Sequence, residues 1–533
     1  MKITITFFLF SLVLWAKAIT LEDIRSKPAC RARDFLIWEF LSQKITKQEA
    51  KQAWKLVVNK SNYKIKKRYF KYVPPKKNNC IKQPIMQIKD PKCLKRAFSL
   101  YKTYHLSKQD RLKLITSNLL SKYQKTMLLI QNEPYDIKRY MLYDTDMVTK
   151  YLLSVPKKDF KKYLDNQITK EFINFLADSK YFGAFVRYVI QRPYPNTKRK
   201  LLKTPFLPSL SSQTFFYLTL NAIELDELTQ AKMFLHQSLL YSKNSYEQER
   251  GFFWLYLLTN QKVFLETLLD SSSINIYTLF AHEKLGYDID NYSANLSTNN
   301  KCSPYDLKDP FVWNKLYKRI RNTPKDQLES LAKEFSYVDL LPLKRLVLEK
   351  AKNYKFHYYI TPYETILKDT PKEDRILIYS LMRQESAYIP SALSRSFALG
   401  LMQLMPFLVD HLAKQQKENI DSYFLLLEPK KNLQYAQRHL KWLHRVFPDN
   451  PLFLAYAYNG GYGFFRKYKK QYDFSSNKYD PFFSMEMMQN NETREYGKKV
   501  LANYTIYNKV YNSSFSIIDF FERLRHSQKN QVD

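Results

Sequence analysis

Glycine is nearly absent from this chain, with 8 among 533 residues, while aromatic residues make up 16%. Sheet proteins with many tight turns draw on glycine, because it adopts positive φ at no steric cost. So few glycines favour helices joined by short polar turns, and an all-α fold is expected. The 45% hydrophobic and 26% charged content supplies apolar material for two or three domains and excludes a disordered chain.

The pattern along the chain divides it. Met1-Lys2, the charge-free apolar run Ile3 to Trp15 and the small-x-small sequence Ala16-Lys17-Ala18 read as a secretory leader over 1–18. That run is short for a membrane span of roughly 20 residues, and no later stretch reaches that length without charges, so no stable span is expected. Residues 19–300 read as helix after helix without a catalytic signature. In one, Ala231, Phe234, Leu235, Ser238 and Leu239 fall at helical spacing; in the next, Phe252, Phe253, Tyr256 and Leu257 share a side. Breaks at Ser242–Ser245 and Ser271–Ser273 come at hairpin-like intervals, as in a degenerate array of helical hairpins. A small linker domain is expected over 301–355, with Trp313, Leu316, Tyr317 and Ile320 on one stripe. A block over 356–515 carries the chemistry, and 516–533 is read as a C-terminal tail.

The formal charge of +36 raises nucleic-acid binding as a possibility. The positive residues are scattered in doublets and triplets such as Lys66-Lys67-Arg68 and Lys76-Lys77, with no sustained block and no aromatic-basic signature. The charge fits genome composition or attraction to another polyanion, and no nucleic-acid partner is expected. Cys30, Cys80, Cys93 and Cys302 would allow disulfides after export. The local pair Cys80 and Cys93 is favoured, with free buried thiols as the other reading. No CxxC occurs, so a zinc ribbon or redox motif is unsupported; neither metal nor cofactor is expected.

Thr370-Pro371-Lys372-Glu373 reads as a capping box with proline at the first helical position. The helix that follows carries Ile378, Leu381, Met382 and Glu385 at i, i+3, i+4 and i+7, which sets Glu385 at the end of an apolar face. Burial there would hold the acid protonated, as general acid catalysis requires; a salt bridge to Arg383 is the structural alternative. Further on stand Ser394, Ala398, the run Gly400-Leu401-Met402-Gln403-Leu404-Met405-Pro406, then Ala457-Tyr458-Asn459-Gly460-Gly461, and finally Glu492-Thr493-Arg494-Glu495-Tyr496. Gly400 would admit a ligand or another stretch of chain. Gln403 offers donors and an acceptor suited to a sugar acetamide, and Met402 and Met405 could line a saccharide groove or fill core. Pro451 starts a helix that Asn459-Gly460-Gly461 ends, projecting Tyr458 from its last turn. His439 and His444 read as surface or packing residues.

Order, spacing and identity of these pieces together resemble the catalytic domain of soluble lytic murein transglycosylases, a goose-type lysozyme-like group. The likeness is tight over the catalytic block and loose before it. It implies a superhelical domain, a linker domain and a lysozyme-like domain, in a layout that would form a ring through which a glycan strand could pass. It further implies peptidoglycan glycan strands as substrate, cell-wall synthesis or remodelling proteins as potential partners, a periplasmic monomer and no cofactor. Cleavage of the bond between N-acetylmuramic acid and N-acetylglucosamine would use one glutamate, Glu385, first as acid and then as base, closing a 1,6-anhydro ring. No second acid matches near Glu385 or in the Gly400 motif, whereas hydrolytic glycosidases usually need a pair. The resemblance places Tyr458 beside the acid. Ser394, Gln403 and Tyr458 would orient substrate and acid, with Met402, Met405 and Asn459 as further contacts and Glu492 and Tyr496 bordering the cleft. Phe397, Gly460 and Tyr462 depart from the family's glycine, alanine and proline, which bears on subsite shape. Hydrolysis of the same bond by water, and a non-catalytic wall scaffold, are the competing functions.

Overall fold

Helices make up nearly all the regular structure of the computed structural model, which describes residues 18–75, 79–133, 135–299 and 301–526. The leader expected over 1–18 lies, but for Ala18, outside the described residues. The only sheet among the described residues is a parallel pair of two-residue strands, Tyr292–Ser293 with His357–Tyr358. No described helix is long and apolar enough to cross a membrane. The chain is all-α.

Two compact units are present. One comprises Met1–Pro75, Ile274–Tyr472 and Asn490–Glu522; the other Lys76–Ser273, Asp473–Gln489 and Arg523–Asp533. The second unit holds the hairpin array. Its helices Ser212–Glu224, Leu228–Leu240 and Ser245–Thr259 pack in succession. Ala231, Phe234, Leu235 and Ser238 are buried as their spacing requires. In the next helix the expected stripe is rotated. The deepest residues are Gly251, Phe253, Trp254 and Leu255, while Phe252, Tyr256 and Leu257 are only half-buried. Gly251 sets this rotation: a Cβ there would stand 2.5 Å from a Leu239 methyl, so the bare backbone lets Leu239 dock. Buried Arg250 is accommodated by stacking 3.8 Å over the Phe216 ring and donating to Gln213. A disulfide joins Cys80 to Cys93, as favoured, while Cys30 and Cys302 are free.

In the first unit, helices Pro310–Asn322, Leu328–Glu334 and Leu341–Ala351 share a core of Leu316, Ile320, Leu331, Phe335, Leu343 and Val347. Ile389, just past the helix that bears Glu385, belongs to the same core. That acid helix, Lys372–Ser386, packs along the longest helix of the unit, Asn491–Val510, which also receives Pro451–Gly460. The tail region is ordered as a helix over Ile517–His526, whose first turn donates Ile517 and Ile518 N–H to the Glu283 carboxylate.

One local expectation is corrected. Thr370 forms no capping box: Pro371 is the N-cap, with no side-chain cap bond. The Thr370 hydroxyl instead accepts the Gln437 amide at 2.9 Å, a tertiary partner that local sequence does not show.

Candidate active site

Glu385 sits in the last turn of the acid helix, which ends on two consecutive left-handed residues, Ala387 (φ 52°) and Tyr388 (φ 67°). Such conformations cost about 1–3 kcal/mol each in non-glycine residues, so the surroundings must hold them. Tyr388 is fully buried; its hydroxyl bonds that of Tyr507, and its carbonyl accepts the Tyr363 hydroxyl at 3.1 Å. Asn503 adds a bond to the Ser380 carbonyl at 3.1 Å. The end of the acid helix is thus fastened from two sides.

The expected alternative partner of Glu385 is engaged elsewhere. Arg383 turns away to Glu349 at 3.1 Å and to the Tyr358 carbonyl at 2.6 Å. What reaches Glu385 is Tyr496, whose hydroxyl donates to Oε1 at 2.7 Å. Glu385 keeps a partial opening to solvent, yet burial of the carboxyl dominates. It pushes the acid up to about 7, against the Tyr496 hydrogen bond and with help from the negative charge of Glu492. Near neutral pH such a group can both give and take a proton.

The other expected site residues separate into those that face this carboxyl and those that build its walls. Tyr458 lies near enough for its ionisation to be opposed by Glu385, but its hydroxyl donates to the Met402 carbonyl at 2.7 Å. The acid is therefore hydrogen-bonded by Tyr496, not by Tyr458. Met402 is fully buried and its N–H donates to Asn432 at 2.9 Å, so it is core rather than groove. Met405 is half-buried, as the residue before helix Pro406–Gln415. Gln403 spends its amide hydrogens on the carbonyls of Ala392 (3.0 Å) and Gly400 (2.9 Å), which leaves its oxygen for a ligand. The Ser394 hydroxyl accepts Ala398 N–H at 2.8 Å and Ser396 N–H at 3.2 Å, closing its own turn. Asn459 accepts the Thr493 hydroxyl at 2.8 Å, tying the Tyr458 helix to the start of the Tyr496 helix. Glu492 is exposed.

Two glycines shape the site through close chain approach. Gly400 has φ 74°, and a Cβ on it would fall 2.1 Å from the Leu426 carbonyl. Beside it, fully buried Asn432 gives its amide to the carbonyls of Leu399 (2.9 Å) and Leu426 (2.8 Å). Asn432 thus staples the Gly400 turn, and at the sequence level it is just one polar residue opening a helix. A Cβ on Gly497 would meet the Tyr456 ring at 2.1 Å, so this glycine lets two helices close until Tyr496 reaches Glu385. The departures also have structural reasons. Gly460 avoids the Phe464 ring and Thr493 side chain, each 2.9 Å from a built Cβ, and Tyr462 packs edge-on to Trp442 at 5.2 Å. His439 and His444 are packing and surface residues, as expected. His439, pushed down to about 4 by burial, stacks on Trp442, and His444 lies 3.7 Å from Asp374.

Residues 364–480 match the family model of the transglycosylase SLT domain. The chain carries an SLT domain. The soluble lytic murein transglycosylase of Salmonella typhimurium is 35% identical over 126 residues, 23% of this chain and 19% of that protein. The protein of the same name from Escherichia coli K12 is 34% identical over 124 residues, with the same shares. These alignments span about a fifth of the relatives' length. The fold is shared much more widely. Lytic transglycosylase Slt from Pseudomonas aeruginosa, solved as an inactive mutant, superposes with TM-score 0.54 at 15% identity, over 93% of this chain and 89% of that one. The 70 kDa soluble lytic transglycosylase of Escherichia coli gives TM-score 0.54 at 15% identity, over 92% and 88%. Outside the SLT domain and its flanks, the likeness is one of helical architecture.

A cavity of about 790 Å³ is lined by Glu39, Asp306, Asp421 and Glu428 among others. Glu39 already accepts Tyr423 N–H and the Ser422 hydroxyl, and Glu428 pairs with Lys308. It lies apart from the residues around Glu385 and has no role in the chemistry below.

Proposed function

We propose that this protein is a periplasmic lytic transglycosylase that cleaves the β-1,4 bond between N-acetylmuramic acid and N-acetylglucosamine in peptidoglycan. The observation that carries this reading is the buried Glu385 carboxyl, held by the Tyr496 hydroxyl, raised, and without a cationic partner among the described residues. In its neutral form Glu385 protonates the glycosidic oxygen. The substrate acetamide stabilises the positive anomeric centre, the substrate-assisted route. The carboxylate left behind then takes the proton of the sugar's own 6-hydroxyl, whose oxygen closes the 1,6-anhydro ring. An intramolecular nucleophile gains from proximity, so no activated water is required. Tyr496 steadies the carboxyl through both steps, and Tyr458 and the Gln403 oxygen border the bound sugar. Export by a cleaved leader and action as a monomer belong to the same reading.

Hydrolysis by water is the competing reaction, and one observation favours testing it: the negative charge of Glu492 contributes to raising the Glu385 carboxyl. Mass spectrometry of digested cell wall separates the two. Anhydro ends, one water lighter than reducing ends, are expected; reducing ends alone would establish a muramidase.

A further inference from the structure

The segment between the acid helix and the Gly400 turn is held from outside the SLT domain. Residues 393–397 carry Ser394 and form a closed turn, with Ser394 N–H donating to the Ala398 carbonyl at 3.0 Å and Phe397 N–H to the Ser394 carbonyl at 3.1 Å. Those bonds leave the carbonyls of Leu393, Arg395 and Ser396 to other partners. Each accepts from the N-terminal part of the chain. Arg31, which opens helix Arg31–Phe40, donates to Leu393 at 2.5 Å. Asn62, the N-cap of helix Tyr63–Tyr72, donates to Arg395 at 3.3 Å, and Lys64 of that helix to Ser396 at 2.5 Å.

An aromatic plug completes the attachment. Phe397 has a left-handed backbone (φ 57°) and a ring that is only 1% exposed. It packs edge-on to Phe35 at 5.3 Å and against Trp38 at 5.7 Å, both on helix Arg31–Phe40. Phe35 in turn meets Phe424 at 4.9 Å. A bulky residue in this conformation is strained, and the N-terminal helices supply the burial that offsets it. Phe397 therefore anchors the loop outward.

We infer that helices Arg31–Phe40 and Tyr63–Tyr72 are a positioning clamp for the Ser394 loop, so that the chemistry of the SLT domain depends on a segment more than 300 residues upstream (|i−j| = 362 for Arg31 and Leu393). Arg31, Lys64 and Phe35 are positioning residues: they touch the loop and act on substrate only through it. The loop is joined to the Gly400 turn by the pairing of Leu393 with Leu399, so loosening it moves the substrate side of the site. The acid helix that buries the Glu385 carboxyl and its polar neighbours Tyr496 and Glu492 lie outside this loop and are left in place. The inference rests on the proposed function only for the identity of the substrate.

The test uses the full chain with Arg31→Ala and Lys64→Ala combined, compared with Arg31→Lys and Lys64→Arg combined. Arg31 is exposed and Lys64 half-exposed, so the fold should survive, which a thermal melt checks. Amide exchange at Ser396 and Ala398 is expected to quicken about tenfold or more in the alanine pair, since an opened loop frees those hydrogens. In a Glu385→Gln background, binding of soluble, uncross-linked glycan strands is expected to weaken five- to tenfold. In the active enzyme KM should rise by the same factor, with the alkaline limb of the pH profile unmoved. The conservative pair should recover most of each effect. Unchanged exchange would refute the clamp, and quickened exchange with wild-type strand binding would refute its positioning role. The binding readout needs no turnover, so failure of the assigned reaction is seen separately, as an inactive wild type that still binds strands.

Discussion

Glu349 and Glu385 are two glutamates of one unit, each set among buried groups, and their surroundings drive them to opposite states. Burial opposes ionisation of Glu349, but the guanidiniums of Arg345 (2.5 Å) and Arg383 (3.1 Å), with Tyr358 N–H, hold its carboxyl below the usual range. Glu385 meets the same desolvation with only a tyrosine hydroxyl to favour its charge, and moves up to about 7. Arg383 contributes to the difference alongside Arg345. Arg383 stands two positions from Glu385 yet delivers its charge to Glu349. The first environment makes an ion triad that joins helix Leu341–Ala351 to helix Lys372–Ser386; the second keeps a carboxyl neutral to a higher pH. Burial alone does not raise a carboxyl: what matters is whether a cation accompanies it.

Removing the acid tests one side of the comparison. Glu385→Gln should lower wall digestion by roughly 10²–10⁴-fold, the range of general acid–base contributions, as read by soluble muropeptide release. It should also alter stability in a way that depends on pH. The folded state holds this proton up to about 7, against an ordinary value of 4.5. The wild type's advantage from the protonated form is thus complete below pH 4.5 and lost as pH rises through 7. Above pH 7 the glutamine variant should be the more stable, by at most about 3 kcal/mol. Equal pH dependence of the two proteins in chemical denaturation would show that Glu385 titrates normally.

Breaking the triad tests the other side. Glu349→Gln leaves Arg345 and Arg383 facing each other without their shared anion and should cost about 3–5 kcal/mol of stability, measured by denaturant unfolding. Activity should fall with it, since Arg383 would no longer fix the acid helix. A variant as stable as wild type would mean that the triad is not a structural joint.

The smallest expected effect sharpens the account of Glu385. Tyr496→Phe removes the hydrogen bond that favours the carboxylate, so its pKa should rise further. The alkaline limb of the pH–rate profile should move upward, with turnover reduced about tenfold, roughly the worth of one charge-assisted bond. A downward shift would contradict the assigned donor.

The legible part of the site was the part with local signals. Glu385 was singled out because helical periodicity set it at the end of an apolar face and because its neighbours follow a family order, and the burial of its carboxyl follows from that face. The ends of helix Pro451–Gly460 were marked by proline and glycine. Long-range pairing was not legible. Tyr496 and Tyr458 are both tyrosines near the ends of motifs, and nothing in their spacing tells which hydroxyl reaches the acid. Gly497 decides it by letting Tyr496 descend against the Tyr456 helix. Gln403 looked like a groove residue because an amide suits a sugar, and Met402 could be read as groove or as core. In the folded chain backbone groups take up Gln403's donors, and Met402 is sealed in core.

Scarce glycine and helical periodicity were enough to read the all-α class, and periodicity set Glu385 at the end of an apolar face. Both depend on short-range order, which a linear chain displays directly. The folded chain alone brings Arg383 to Glu349, Tyr496 to Glu385, and Arg31, Asn62 and Lys64 to the Ser394 loop. Each of these is a choice among many chemically equivalent partners. Such choices are made by which backbones can approach closely enough, and that is settled by packing across hundreds of residues.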